Sequence, residues 1–147
     1  MSGAYSIPLA EIFVAEPSTV ETIDATTVPT SDLGAIDVKR LDIVKLGQLR
    51  SLLSGEPFAA VLPEFPAVRE VSDDGPWVYQ ISDPLVESRA SMDDSTCETT
   101  AARWANTDEM QMDGFDVAAA HVLLQELTAL AAEASGSDRK VYLWNAL

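Results

Sequence analysis

The chain has one cysteine and one histidine in 147 residues. A single thiol, Cys97, cannot close an internal disulfide, which favours a reducing compartment and rules out a disulfide-stapled mini-domain. With only Cys97 and His121, neither a Cys/His zinc site nor a C-x-x-C redox pair can be assembled. Phosphate-cradling glycine loops are absent too, since neither G-x-x-x-x-G-K-[ST] nor G-x-G-x-x-G occurs. Positive charge is scarce: Lys39, Lys45 and Lys140 are the lysines, and six arginines bring the bases to nine. No apolar run approaches the roughly 20 residues that span a bilayer, and the N-terminal Met1–Pro8 stretch carries no basic side chain of a leader. A cytoplasmic location is expected.

What is abundant is acid. Twenty-four Asp and Glu set a formal charge of −15. Such a surface repels nucleic-acid backbones and anionic membranes, and attracts a basic protein, a cationic ligand or a divalent metal. The same composition is also what salt adaptation produces. An apolar share of 47% is ordinary for a globular chain, and the length suits one α+β domain over residues 1–147.

The N-terminal 35 residues read as a less regular arm. Within it Ser6–Val14 is apolar enough for a strand, which Pro8 should confine to an edge or to its first residues. From there the punctuation is clearer. Asp42 is an N-cap for a helix to Ser54, with Ile43, Leu46, Leu49 and Leu53 as its stripe and Gly55 as its left-handed stop. A short helical turn over Phe58–Leu62 should end at Pro63 and Pro66. Two strands, Ala67–Ser72 and Trp77–Ile81, flank Asp73-Asp74-Gly75-Pro76 and predict a hairpin. Asp83-Pro84 should open a helix over 84–92, and Ser95 with Glu98 three residues on should form the capping box of another. The strongest helix runs from Asp116 to about Gly136, with Ala120, Leu123, Leu124, Leu127, Leu130, Ala131 and Ala134 at helical spacing. Lys140–Trp144 is a buried type of strand that should join the hairpin's sheet. The expected architecture is a small, mainly antiparallel sheet packed against amphipathic helices.

From residue 41 onward the order of elements resembles the YfbM-like family of small bacterial proteins. The matching features are Leu41-Asp42-Ile43-x-Lys45, Leu52-Leu53-Ser54-Gly55, the Gly75-Pro76 strand, the long helix after Gly114-Phe115-Asp116, and Val141–Trp144. The resemblance covers about two-thirds of the chain and brings no catalytic motif. It implies a style of fold similar to bacterial immunity proteins.

Three constellations remain. Cys97 and His121 could form a nucleophilic dyad, but no strained or glycine-rich loop surrounds either, and a buried thiol beside a core-bordering histidine is the plainer assignment. Asp108, Glu109, Asp113 and Asp116 crowd one expected loop, 107–116, with oxygen ligands that suit Ca²⁺ or Mg²⁺. Setting Gly114 at the sixth place of a calcium-binding loop puts Ala120 where the bidentate Glu belongs, so the pattern lacks its essential ligand, and no metal or other cofactor is expected. Trp77, Trp104 and Trp144 could anchor a partner, although at least two suit the core. The leading function is a stoichiometric binding protein, an immunity-type inhibitor of a basic toxin or nuclease. Its candidate contact residues are Asp108, Glu109, Asp113, Asp116, Asp73, Asp74 and Trp77. The alternatives are a small metal-dependent hydrolase using the 107–116 acids, and an acidic housekeeping protein of a salt-loving organism.

Overall fold

A computed structural model describes residues 9–38, 40–90 and 92–146. Its fold is α+β. One sheet runs in the order β2-β1-β5-β4-β3 with every neighbouring pair antiparallel. Its strands are β1 (Leu9–Ala15), β2 (Ile36–Asp37), β3 (Ala67–Glu70), β4 (Trp77–Gln80) and β5 (Lys140–Ala146).

The expected hairpin forms as β3 and β4, and the last strand joins it, Val78 facing Trp144 and Tyr79 facing Leu143. The first strand also forms but is not an edge. β1 lies between β2 and β5, paired with β5 from Leu9↔Ala146 to Ala15↔Lys140. Its described part begins after Pro8, so every ladder position in it keeps an N–H to donate.

Period-two alternation places two different cores on the two faces of the sheet. Ala10, Ile12, Val141 and Leu143 face the helices, whereas Phe13, Ala15, Tyr142 and Trp144 face the other way. The helical layer comprises α3 (Ile43–Ser54), α5 (Asp83–Ala90), α6 (Asp94–Ala105) and α8 (Val117–Ala134), with the short α7 (Asp108–Met112) before α8. All seven apolar residues of the expected α8 stripe are buried. Trp104 of α6 is fully buried beside them.

The opposite face is covered by the stretch after β1, which was legible only as an irregular arm. Short helices α1 (Pro17–Val20) and α2 (Pro29–Asp32) fold over Phe13 and Tyr142, whose rings stack 5.4 Å apart. Val20 and Ile23 are buried there, and Arg69 Nε donates to the Ile23 carbonyl at 3.0 Å.

Caps match the sequence in some places and shift in others. Asp42 and Asp116 accept from the backbone N–H of Lys45 and Ala119, and Gly55 closes α3 at φ +77°. Ser82, not Asp83, occupies the capping place of α5, accepting from Leu85 N–H at 3.3 Å. Asp93, not Ser95, caps α6, accepting from Thr96 N–H at 2.7 Å. In both cases a second good capping residue lies one or two places away, and packing chooses between them. After α4 (Phe58–Val61) the chain tightens into a 3-10 turn over Leu62–Glu64, so Pro63 sits inside helical structure rather than ending it.

Contrary to the expectation from run length, Val117–Ala134 is long and apolar enough to cross a membrane by length and composition. In the fold its stripe packs on the sheet and on α5 and α6.

Candidate functional site

The acid-rich 107–116 segment is not a loop. Asp108 opens α7, where Asp108 and Glu109 lie in the first turn and favour the positive end of the helix. Met110 then plugs the core. The α7–α8 corner is fastened to α3 by a residue that sequence reasoning left aside. Lys45, only 2% exposed, reaches Asp42 Oδ2 at 3.1 Å and Asp113 Oδ2 at 2.5 Å. Its Nζ also lies 6.0 Å from the centre of the Phe115 ring. Trp104 Nε1–H donates to the Lys45 carbonyl at 2.9 Å, so α6 enters the same knot. Arg40, in the left-handed region at φ +70°, donates to the Asp113 carbonyl at 3.1 Å. A buried ammonium is tolerated because two carboxylates and an aromatic face replace its water.

This arrangement assigns internal work to two of the four clustered acids. Asp113 neutralises Lys45, and Asp116 caps α8. Asp108 is exposed and Glu109 half-buried on the same corner. Asp73, Asp74 and Trp77 belong to the hairpin, with β5 and β1 between it and β2. Asp73 and Asp74 are exposed at its turn, and the Trp77 ring lies over Gly75, whose φ of +89° and missing Cβ make room for it. The structure therefore separates the seven candidate residues into two groups.

No set of three Asp, Glu, His or Cys side chains among the described residues converges as metal ligands. Cys97 lies 4.0 Å from the Thr128 hydroxyl, while His121 sits two turns earlier on α8, about 10 Å along the axis. The two do not form a dyad.

Surrounding the α7–α8 corner are two shallow grooves that meet at Phe115. One, of about 410 Å³, is lined by Ala102, Ala105, Gly114, Phe115 and Val117 among others. The second, of about 180 Å³, runs past Val38, Phe115, Ala119, Val122 and Leu123, with Asp37 and Glu126 at its sides. Burial pushes the Glu126 carboxyl above the usual carboxylate range. Val117 and Val122 stand exposed along these grooves, at 50% and 53%, and Met112, 79% exposed, ends α7 between groove residues Gln111 and Gly114. The signal was present in the sequence: α8 carries valines outside its core stripe, and no acid occurs from Val117 to Gln125.

Elsewhere, two buried polar groups stand out. Arg89 is 1% exposed with no hydrogen-bond partner on any of its guanidinium nitrogens among the described residues; burial lowers its pKa and nearby Cys97 opposes that shift. Glu11 faces Trp144 across the β1–β5 ladder, and Glu11 Oε1 and Trp144 Nε1 both lack partners among the described residues. Burial first, then the charge of Asp37, raises the Glu11 carboxyl, against a backbone contact from Thr30.

No protein-family model matches the chain, and neither a curated protein nor a solved structure does.

Proposed function

We propose that this protein is an acidic, stoichiometric binding protein of the immunity type, which masks a basic toxin or nuclease in the cytoplasm. The observation that carries this reading is how the cations are used. Lys45 and Arg89 are buried, and Arg50, Arg139 and Lys140 pair with Glu64, Glu133 and Asp83. Each pairing cancels an acid along with its base, so the net −15 is unchanged, and among the described residues the acids left unpaired far outnumber the cations left unpaired and present a negative field outward. Such a field steers a basic protein into encounter and disfavours acidic competitors. Occlusion of the partner's cationic active site then needs no chemistry from this chain. The acids of 107–116 favour binding over metal-dependent hydrolysis, because Asp113 and Asp116 are already engaged.

The test is a titration against the product of a basic, toxin-like reading frame adjacent to its gene. One equivalent should abolish the partner's activity, and association should slow as salt rises. Activity that persists at a large excess of this protein would overturn the reading.

A further inference from the structure

Resting on that binding role, we infer that the contact face is the α7–α8 corner, and that its occupant is a basic amphipathic segment with an apolar anchor. The centre of this face is apolar. Met112, Val117 and Val122 are three of the large hydrophobic side chains exposed among the described residues, and they fall within eleven consecutive positions, 112 to 122. Between them the two grooves converge on Phe115, offering a concave seat for aliphatic side chains. The edge is acidic: Asp108, Glu109 and Asp116 on one side, Asp37 and Glu126 on the other. Among the described residues, the cations set against these acids are Arg103, exposed on α6, and Arg40, tied to the Asp113 carbonyl. An apolar centre within a polar rim is the usual anatomy of a protein interface.

The rim also decides between occupants. A second copy of this chain would set these acids against their own counterparts within a contact, and like charges so placed are strongly disfavoured. An anionic membrane is repelled for the same reason. A segment with leucine-like anchors flanked by lysine or arginine satisfies both the seat and the rim. The floor is rigid, because Lys45 joins α3 to Asp113 directly beneath the corner, so the surface is formed before binding.

The probe is a labelled amphipathic peptide with leucines on one face and lysines on the other, titrated by fluorescence anisotropy at about 0.15 M KCl, where the Debye length is near 8 Å. Two double variants carry equal added charge: Met112→Lys with Val122→Lys on the face, and Val28→Lys with Val68→Lys at exposed positions elsewhere. The first pair should weaken binding about tenfold or more and the second less than about twofold, since a hot-spot loss of 1.4 kcal/mol is a factor of ten. Equal weakening by both pairs removes this face while leaving cationic binding intact. Absence of peptide binding to the unmodified chain overturns the face, while the binding role itself stands or falls on the stoichiometric titration against the toxin-like partner. A wild-type dimer in sedimentation, converted to monomer by the Met112/Val122 pair, assigns the face to a second copy and defeats the inference. Should either variant fold poorly, amide shifts of the unmodified protein on titration decide instead: they should centre on Met112, Phe115, Val117 and Val122, and shifts centred elsewhere overturn the assignment.

Discussion

Lys45 and Asp113 meet at 2.5 Å with opposite relations to solvent: the lysine side chain is 3% exposed, the aspartate 42%. The pair is therefore asymmetric in what each loss leaves behind. Removing Asp113 strands a buried ammonium with Asp42 as its remaining carboxylate, whereas removing Lys45 leaves two carboxylates that water can reach. Asp113→Asn is expected to destabilise by roughly 1–3 kcal/mol, and Lys45→Met by less. Urea unfolding of both variants measures the order, and a larger loss from Lys45→Met would show that the corner depends on the ammonium more than the ammonium depends on Asp113.

Leu127, 4% exposed on the inner face of α8, is packed in the main core. Its truncation to Ala should cost about 2–5 kcal/mol, the transfer term plus the residual cavity. A change under about 0.5 kcal/mol in the denaturation midpoint analysis would place the helix with a different face inward.

Two carboxyls are perturbed in opposite directions and should give opposite pH signatures. Burial and Asp37 raise the Glu11 carboxyl, so its contribution to stability is complete below the ordinary value of 4.5 and is lost as pH climbs through the raised value. Glu11→Gln should consequently melt above wild type at pH 7, with the difference closing in acid. Glu64 is lowered, chiefly by the Ser82 hydroxyl at 2.6 Å and also by Arg50. Its contribution is present above the ordinary value and lost as pH falls through the depressed one, so Glu64→Gln should melt below wild type at pH 7 and approach it in acid. Thermal melts from neutral pH down to the acid limit of folding check both, and parallel curves for the two variants would contradict them.

The acidic surface can be separated from a salt adaptation by a melt in about 0.1 M and 2 M KCl. Screening shortens the Debye length from about 10 Å at 0.1 M to about 3 Å at 1 M, which relieves repulsion among surface acids. A binding protein should already be folded at the lower salt, because its core has buried stripes from α3, α6 and α8 and needs no help from ions. Unfolding at 0.1 M with strong recovery at 2 M would sink the proposed binding role.

How much of this could be foreseen depends on the range of the interactions involved. The sequence alone determined what is encoded within a few residues. The α8 stripe, the Asp42 and Asp116 caps, the Gly55 stop and the β3–β4 hairpin all follow from periodicity and turn chemistry, and all are present. Composition likewise determined the charge. Tertiary structure decided everything that joins distant segments. Whether Ser82 or Asp83 capped α5 depended on packing, since both are competent. β1 became an inner strand because β5 pairs along its whole described length, a contact between opposite ends of the chain. Nothing local to Lys45 marks it for burial, which follows from α3, α6 and the α7–α8 corner closing around it. Most of all, the acids at 108–116 were visible as a cluster with Asp116 as its helix cap, but only the fold assigned Asp113 to Lys45 and set Asp108 and Glu109 in the first turn of α7. A carboxylate's role is fixed by the charge or N–H that arrives beside it, and that neighbour comes from elsewhere in the chain.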